Sequence, residues 1–234
     1  MARVLKIDNA LQKRFAQDNK KRKKSRALKV SILIVCEGTK TEPNYFKSFP
    51  KNVGQFVFDI QTEGTGMNTL NVVEKAIELR NNSIQKFDSV WAVFDKDNFK
   101  NFNAAINKAE KNNVGCAWSN EAFELWYLLH FQYRNTAMSR TEYAKAIENE
   151  INKIWKDKKI PYKYKKNDTN TYNNVLKYGN QKNAIENAKK LSKRYEDTKY
   201  QNHNPRTQVY KLVEQLIGQD DELNRQIFES LNKK

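Results

Sequence analysis

Three acidic residues of this chain stand directly behind apolar runs, where carboxylates do chemistry. Glu37 follows Val30–Cys36 (VSILIVC), and Asp95 and Asp97 follow Val90–Phe94. Residues two apart in an extended segment point the same way, so Asp95 and Asp97 can share a ligand. Hard carboxylate oxygens suit Mg²⁺, with Mn²⁺ as a substitute. Glu121 and Glu124 come next, three apart. Glu124 sits amid Phe123, Leu125, Trp126, Leu128 and Leu129. A carboxylate in such company needs a partner, and a cation is one. Plainer readings stand beside these: Asp97 caps the following helix, Glu121 complements a helix N-terminus, and Glu124 pairs with a lysine. Glu37, behind seven mostly apolar residues, has the weakest plain reading.

The elements that must position these acids follow from periodicity. Val30–Cys36, Phe56–Ile60, Val90–Phe94 and Val114–Trp118 are short, apolar and rich in β-branched or aromatic residues, so they read as buried parallel strands. Helices are expected between and after them. One runs from Glu42 to Phe49 with Thr41 as N-cap and Pro43 early. The others cover roughly 69–82, 100–112 and 121–133, the last capped by Ser119-Asn120. This is an α/β layer pattern with a mostly parallel four-stranded sheet. Active residues in such sheets lie at the carboxyl ends of the strands. For Glu37 to face Asp95, the first and third strands must be neighbours, which predicts the order 2-1-3-4. Beyond 140 the chain reads as helical over 140–157, 172–195, 205–217 and 221–231. The expected division is a basic arm (1–29), an α/β core (30–133) and a helical elaboration packed on it (134–234).

The net charge is +16 over 234 residues. Residues 1–29 hold eleven Lys/Arg against two Asp, peaking at Lys20-Lys21-Arg22-Lys23-Lys24. Adjacent cations repel, so this reads as a solvated arm, suited either to phosphate backbones or merely to solubility. A second basic stretch, Lys156 to Lys166, interleaves Trp155, Tyr162 and Tyr164 with lysines that include Lys165 and Lys166. It reads equally as a surface for unstacked bases and as a loop whose aromatics pack inward. Two cysteines in apolar runs, no apolar h-region at the N-terminus and no run of about 18 apolar residues point to a reduced, cytoplasmic protein off the membrane. Gly38-Thr39-Lys40-Thr41 only mimics a phosphate-binding loop: Ile34 and Thr39 stand where that motif requires glycine. His130 reads as a core histidine and His203 as an exposed loop residue.

Four ordered motifs resemble the RloB-like family: Ile32-Leu33-Ile34-Val35-Cys36-Glu37-Gly38-Thr39-Lys40-Thr41-Glu42-Pro43-Asn44-Tyr45-Phe46, Val93-Phe94-Asp95-Lys96-Asp97, Ser119 to Phe131, and Asn204-Pro205-Arg206-Thr207 on to Glu214. The resemblance implies a Toprim-like fold in which Glu37 does acid/base work, Asp95 and Asp97 hold Mg²⁺ with Glu37 able to complete a metal site, and Glu124 is the acid of the third motif. The family more often has proline where this chain has Glu121, and histidine where it has Tyr210. The resemblance also implies a nuclease of bacterial anti-phage defence working beside an ATPase.

The expectation is therefore a Mg²⁺-dependent nuclease, with RNA (tRNA among the candidates) ahead of DNA. Its catalytic residues are Glu37, Asp95, Asp97 and Glu124. The nucleic acid is held by Lys20–Lys24, Lys40, Lys165, Lys166 and Arg206, and there is room for a homo-oligomer. The rival expectation is a catalytically silent nucleic-acid-binding or regulatory subunit of the ATPase.

Overall fold

The computed structural model describes residues 27–96, 100–157 and 159–232. Its centre is a six-stranded sheet in the order β2-β3-β1-β4-β5-β6. The strands are β1 (Leu28–Cys36), β2 (Asn52–Val53), β3 (Phe56–Gly64), β4 (Ser89–Asp95), β5 (Gly115–Asn120) and β6 (Arg206–Thr207). β1 pairs in parallel with β3 and β4, and β4 pairs in parallel with β5. These four are the expected strands in the expected order. The sheet is mixed, however, because β2 and β6 add antiparallel edges. Each edge strand is two residues long, too short for an alternating pattern to register in sequence. β6 also means that the region beyond 134, expected to be helical throughout, supplies one edge of the sheet.

β1 is apolar almost throughout because both its faces are covered. Val30, Ile32, Ile34 and Cys36 join one core cluster, and Leu33 and Val35 join the other. Helices α2 (Thr69–Asn82) and α3 (Phe102–Lys111) cover the Leu33 face through Val72, Val73, Ala76, Phe102, Ala105 and Ile106. The Asn68 side chain caps α2 by accepting from the Asn71 amide. The Val30 face is covered by α1 (Thr41–Lys47), α4 (Glu124–Leu128), α5 (Arg140–Ile154), α6 (Thr171–Tyr178), α7 (Gln181–Ser192) and α8 (Val209–Leu216). A last helix, α9 (Asp221–Asn232), packs Leu223 and Ile227 on the same side.

Tyr45 of α1 is the hub of this larger core. Its ring lies 5.1–5.5 Å from those of Phe46, Phe49, Phe123, Tyr127 and Tyr172. Its hydroxyl accepts from the Trp126 indole N–H at 2.7 Å, so the polar atom at the hub is satisfied. Each of these rings contributes roughly 1.5–3 kcal/mol by burial. Together they lock α1 to α4, and each of these two helices carries an acid.

Several helix boundaries differ from expectation. Thr41 lies inside α1 with Lys40 at the cap; the Thr41 hydroxyl donates instead to the Lys166 carbonyl at 2.7 Å. Ser119 and Asn120 belong to β5 and pair with β6, so they cap nothing, and the expected helix over 121–133 shrinks to α4. The expected helix over 172–195 is broken at Gly179-Asn180. A Cβ on Gly179 would stand 2.7 Å from the Val175 carbonyl oxygen and 2.8 Å from the His130 Cβ. The Asn180 side chain then caps α7.

Candidate functional site

β1 and β4 are neighbours, and the chain leaves them in opposite directions: β1 towards β3, β4 towards β5. Such a switch point opens a crevice at the carboxyl ends of the strands. Glu37 and Asp95 flank it. The Glu37 amide continues the sheet by donating to the Val93 carbonyl (2.8 Å), and the Glu37 carbonyl accepts from Gly66 (2.9 Å). Its carboxylate turns across the crevice, and Oε2 accepts from the Asp95 amide at 3.0 Å. The two acids that the sequence placed on separate strands are thus one hydrogen bond apart.

Two further acids join them. Glu124 is the first residue of α4 and 4% exposed; Glu42 is in the first turn of α1 and 6% exposed; Asp95 is 7% exposed. The Tyr164 hydroxyl donates to Glu124 Oε1 at 3.0 Å. Arg140 Nη1 stands 3.7 Å from Asp95 Oδ2. It is the first residue of α5, which starts with a Ser139/Glu142 capping box. Glu37, Gly38, Glu42, Asp95, Arg140 and Lys166 line a cavity of about 290 Å³.

Burial, then the charges of Glu42, Glu124 and Glu37, push the Asp95 carboxyl well above the usual carboxylate range, against the pull of Arg140. Burial also raises Glu42, with Glu124 adding to the rise, while its own backbone hydrogen bond, Lys166 and Arg140 oppose it. Burial and the neighbouring Glu124 push the Tyr164 phenol up, so it stays a donor.

Among the described residues, no three Asp, Glu, His or Cys side chains stand grouped as metal ligands. Asp97, the expected third ligand, lies outside the described residues. The donor chemistry nonetheless fits a hard divalent cation: every donor is a carboxylate oxygen, and the crowding that raises Asp95 and Glu42 is what a cation relieves.

A family model described as RloB-like protein matches residues 32–216, most of the chain. The chain belongs to the RloB-like family. No curated protein and no solved structure matches it. In this RloB-like chain the matched span runs from within β1 to the end of α8, so it takes in the whole acidic crevice.

Glu42 is the site residue that sequence reasoning missed. Its signal was there: it lies three and four positions before Tyr45 and Phe46, both fully buried, on the side of α1 that faces inward. The basic residues are dispersed. Lys166 lines the acidic cavity, Lys165 lines a separate groove, and Lys40 is exposed at the cap of α1. Arg206 is held elsewhere, its guanidinium 5.4 Å from the Trp118 ring and its Nη1 2.7 Å from His203 Nδ1. Lys20, Lys21, Arg22, Lys23 and Lys24 lie outside the described residues.

Of the aromatics in the second basic stretch, Tyr162 is buried and Tyr164 is turned onto Glu124, so these two pack inward. His203 is also buried, against expectation. It stacks on Tyr195 at 4.4 Å, with Nε2 2.8 Å from Asp197 Oδ1. His130 is a core histidine, as read: Nδ1–H donates to the Trp126 carbonyl at 2.9 Å. Burial lowers its pKa to about 4. Among the described residues, no helix is long and apolar enough to cross a membrane.

Proposed function

We propose that this RloB-like protein is a metal-dependent nuclease on a Toprim-like core. It cleaves phosphodiesters of RNA ahead of DNA and acts as an effector of anti-phage defence with an ATPase encoded nearby. The observation that carries this reading is the Glu37 carboxylate seated on the Asp95 amide between two parallel strands, with Glu42 and Glu124 buried beside it.

Asp95, Asp97 and Glu37 are the residues that would hold Mg²⁺ or Mn²⁺. Bound there, the cation would polarise the phosphate and offset charge developing on oxygen. Glu37 serves as the acid/base group, its carboxylate oriented by the Asp95 amide. Glu42 keeps its proton to a higher pH than an ordinary glutamate, which suits it to protonate a leaving oxygen. Arg140 and Lys166 give a phosphate its cationic contacts in the cavity.

The test is cleavage of RNA and DNA by Glu37→Gln and Asp95→Asn proteins, with growth arrest on expression and sequencing of RNA ends. Each variant is expected to lose at least about 100-fold in rate. Full activity in either overturns the assignment, and intact RNA beside nicked DNA reverses the substrate. The rival reading is a silent binding or regulatory subunit of the ATPase. Calorimetric titration with Mn²⁺ separates the two, because the silent subunit binds none at millimolar metal.

A further inference from the structure

A groove of about 970 Å³, larger than the acidic cavity, lies between the loop over 155–170 and α6. We propose that this groove seats a single-stranded segment of nucleic acid and leads it to the acidic crevice. The second half of that statement rests on the nuclease reading; the first does not.

The loop over 161–165 has no strand partners, and its side chains divide between two sites. Lys163, Lys165 and Asn167 line the groove. Tyr164 and Lys166 turn the other way, to Glu124 and the acidic cavity. One stretch of chain is thus the wall between the two sites, fixed by the Thr41–Lys166 hydrogen bond. Across the groove, α6 presents Asn170, Asn173 and Lys177 at spacings of three and four, which places them on one helical face.

The lining has the chemistry of a single strand. Lys163, Lys165 and Lys177 face the groove with one acid, Asp168, whose carboxylate is engaged by the Asn170 amide at 2.9 Å. Lys163 keeps a 3.7 Å contact to Glu148 and is otherwise exposed. The Asn167, Asn170 and Asn173 carboxamides have no hydrogen-bond partner among the described residues. Each offers a donor and an acceptor to a base edge. Trp155 lies in the groove with its ring packed 5.5 Å from Tyr162, and Ile160, 71% exposed, sits on the rim. These are apolar surfaces for a base face. A duplex would bring only phosphates to such a concavity and leave the amides unmet. A polyacidic peptide would satisfy the lysines and leave the Trp155–Ile160 surface unused.

The test is fluorescence anisotropy in EDTA, where no cleavage intrudes. The probes are a labelled 12-nucleotide RNA, the same sequence as single-stranded DNA, and the RNA duplex, with polyglutamate as competitor. The single strands are expected to bind at least tenfold more tightly than the duplex, and the RNA and DNA arms assign the sugar. Lys165→Glu/Lys177→Glu should weaken binding at least tenfold and flatten the plot of log K against log salt by about 1.4, for two phosphate contacts. Asn170→Ala/Asn173→Ala should weaken it with the salt slope unchanged; Asn170 makes no side-chain cap bond, so α6 keeps its start. Circular dichroism checks the fold of each variant. Duplex binding as tight as single-strand binding, unchanged affinity in the lysine variant, or equal competition by polyglutamate overturns the proposal. Binding as expected without cleavage under any metal keeps the groove and removes the nuclease. Cleavage with groove variants unaffected does the reverse.

Discussion

Asp95→Asn is the sharpest perturbation of the acidic crevice, because it removes a charge and keeps the shape. In the wild type, burial and the carboxylates of Glu42, Glu124 and Glu37 raise the Asp95 carboxyl. A carboxyl raised on folding binds more protons folded than unfolded. Its stabilisation is complete below the ordinary value of about 3.9 and is lost as pH rises through the folded value. Each pKa unit is worth about 1.4 kcal/mol. In chelator, the wild type should therefore lose stability relative to Asp95→Asn as pH is raised from 5 to 8. Taking the difference between the two proteins cancels the titrating groups remote from Asp95 and leaves it together with the acids that act on it. Added Mn²⁺ or Mg²⁺ should reverse the loss. A cation at 100 times its Kd stabilises by about 2.7 kcal/mol. At about 2–4 °C per kcal/mol for a chain of this size, the Tm rises by about 5–11 °C. The acids must be deprotonated to take the cation, so the rise should be larger at pH 8 than at pH 5. Calorimetric melts of both proteins across that range, with chelator and with metal, are the assay. An identical cation response in the two proteins, or a Tm of Asp95→Asn below that of the wild type at pH 8 in chelator, would refute the reasoning.

Three more perturbations probe the same arrangement. A methyl group at Gly38 would run into the Glu42 carboxylate, the movable end of a side chain; Gly38→Ala should leave the Tm within about 2–4 °C and still cut cleavage at least about tenfold. Tyr164→Phe leaves buried Glu124 without its 3.0 Å donor, which should cost about 1–3 kcal/mol in urea melts. Buried His130 titrates near 4 rather than 6.5, so the unfolded chain takes its proton first. Its stabilisation is present above pH 6.5 and lost towards pH 4, by about 3 kcal/mol, and His130→Gln should lack that loss.

The strands that position the crevice were legible because both their faces are buried, which leaves an uninterrupted apolar run. The order 2-1-3-4 was legible from chemistry, since it is what brings Glu37 to Asp95. Elements fixed by long-range contacts were not legible. β6 is two residues that become a strand only because Ser119 and Asn120 present an open edge. Glu42 reads in sequence as an ordinary acid in a first helical turn. Its burial comes from the docking of Tyr45 and Phe46 under Phe123 and Trp126, some 80 positions later. His203 looks exposed among Gln201, Asn202 and Asn204, and is buried by Tyr195 and Arg206 folding over it. Of the two readings of the lysine and aromatic stretch, the structure bears on the inward packing: Tyr162 is buried and Tyr164 reaches Glu124, while Lys163 and Lys165 stay exposed on the groove.

The charge balance of the crevice constrains what can enter it. Four carboxylates, Glu37, Glu42, Asp95 and Glu124, act on one another, and among the described residues that line the cavity the cations are Arg140 and Lys166. The acids crowd one another there, in a chain whose net charge is +16. The basic surface will gather a polyanion from solution, but the crevice as it stands repels a phosphate at close range. Burial first, and the neighbouring acids after it, make Asp95 and Glu42 hold their protons to higher pH. A protonated crevice admits a phosphate but offers it few cationic contacts, Arg140 and Lys166 among them. A divalent cation would offset the carboxylates and leave Glu37 ionised as a base. Binding of nucleic acid is therefore expected to need the lysines and no metal, and cleavage to need the acids and the metal, so each half can fail without the other.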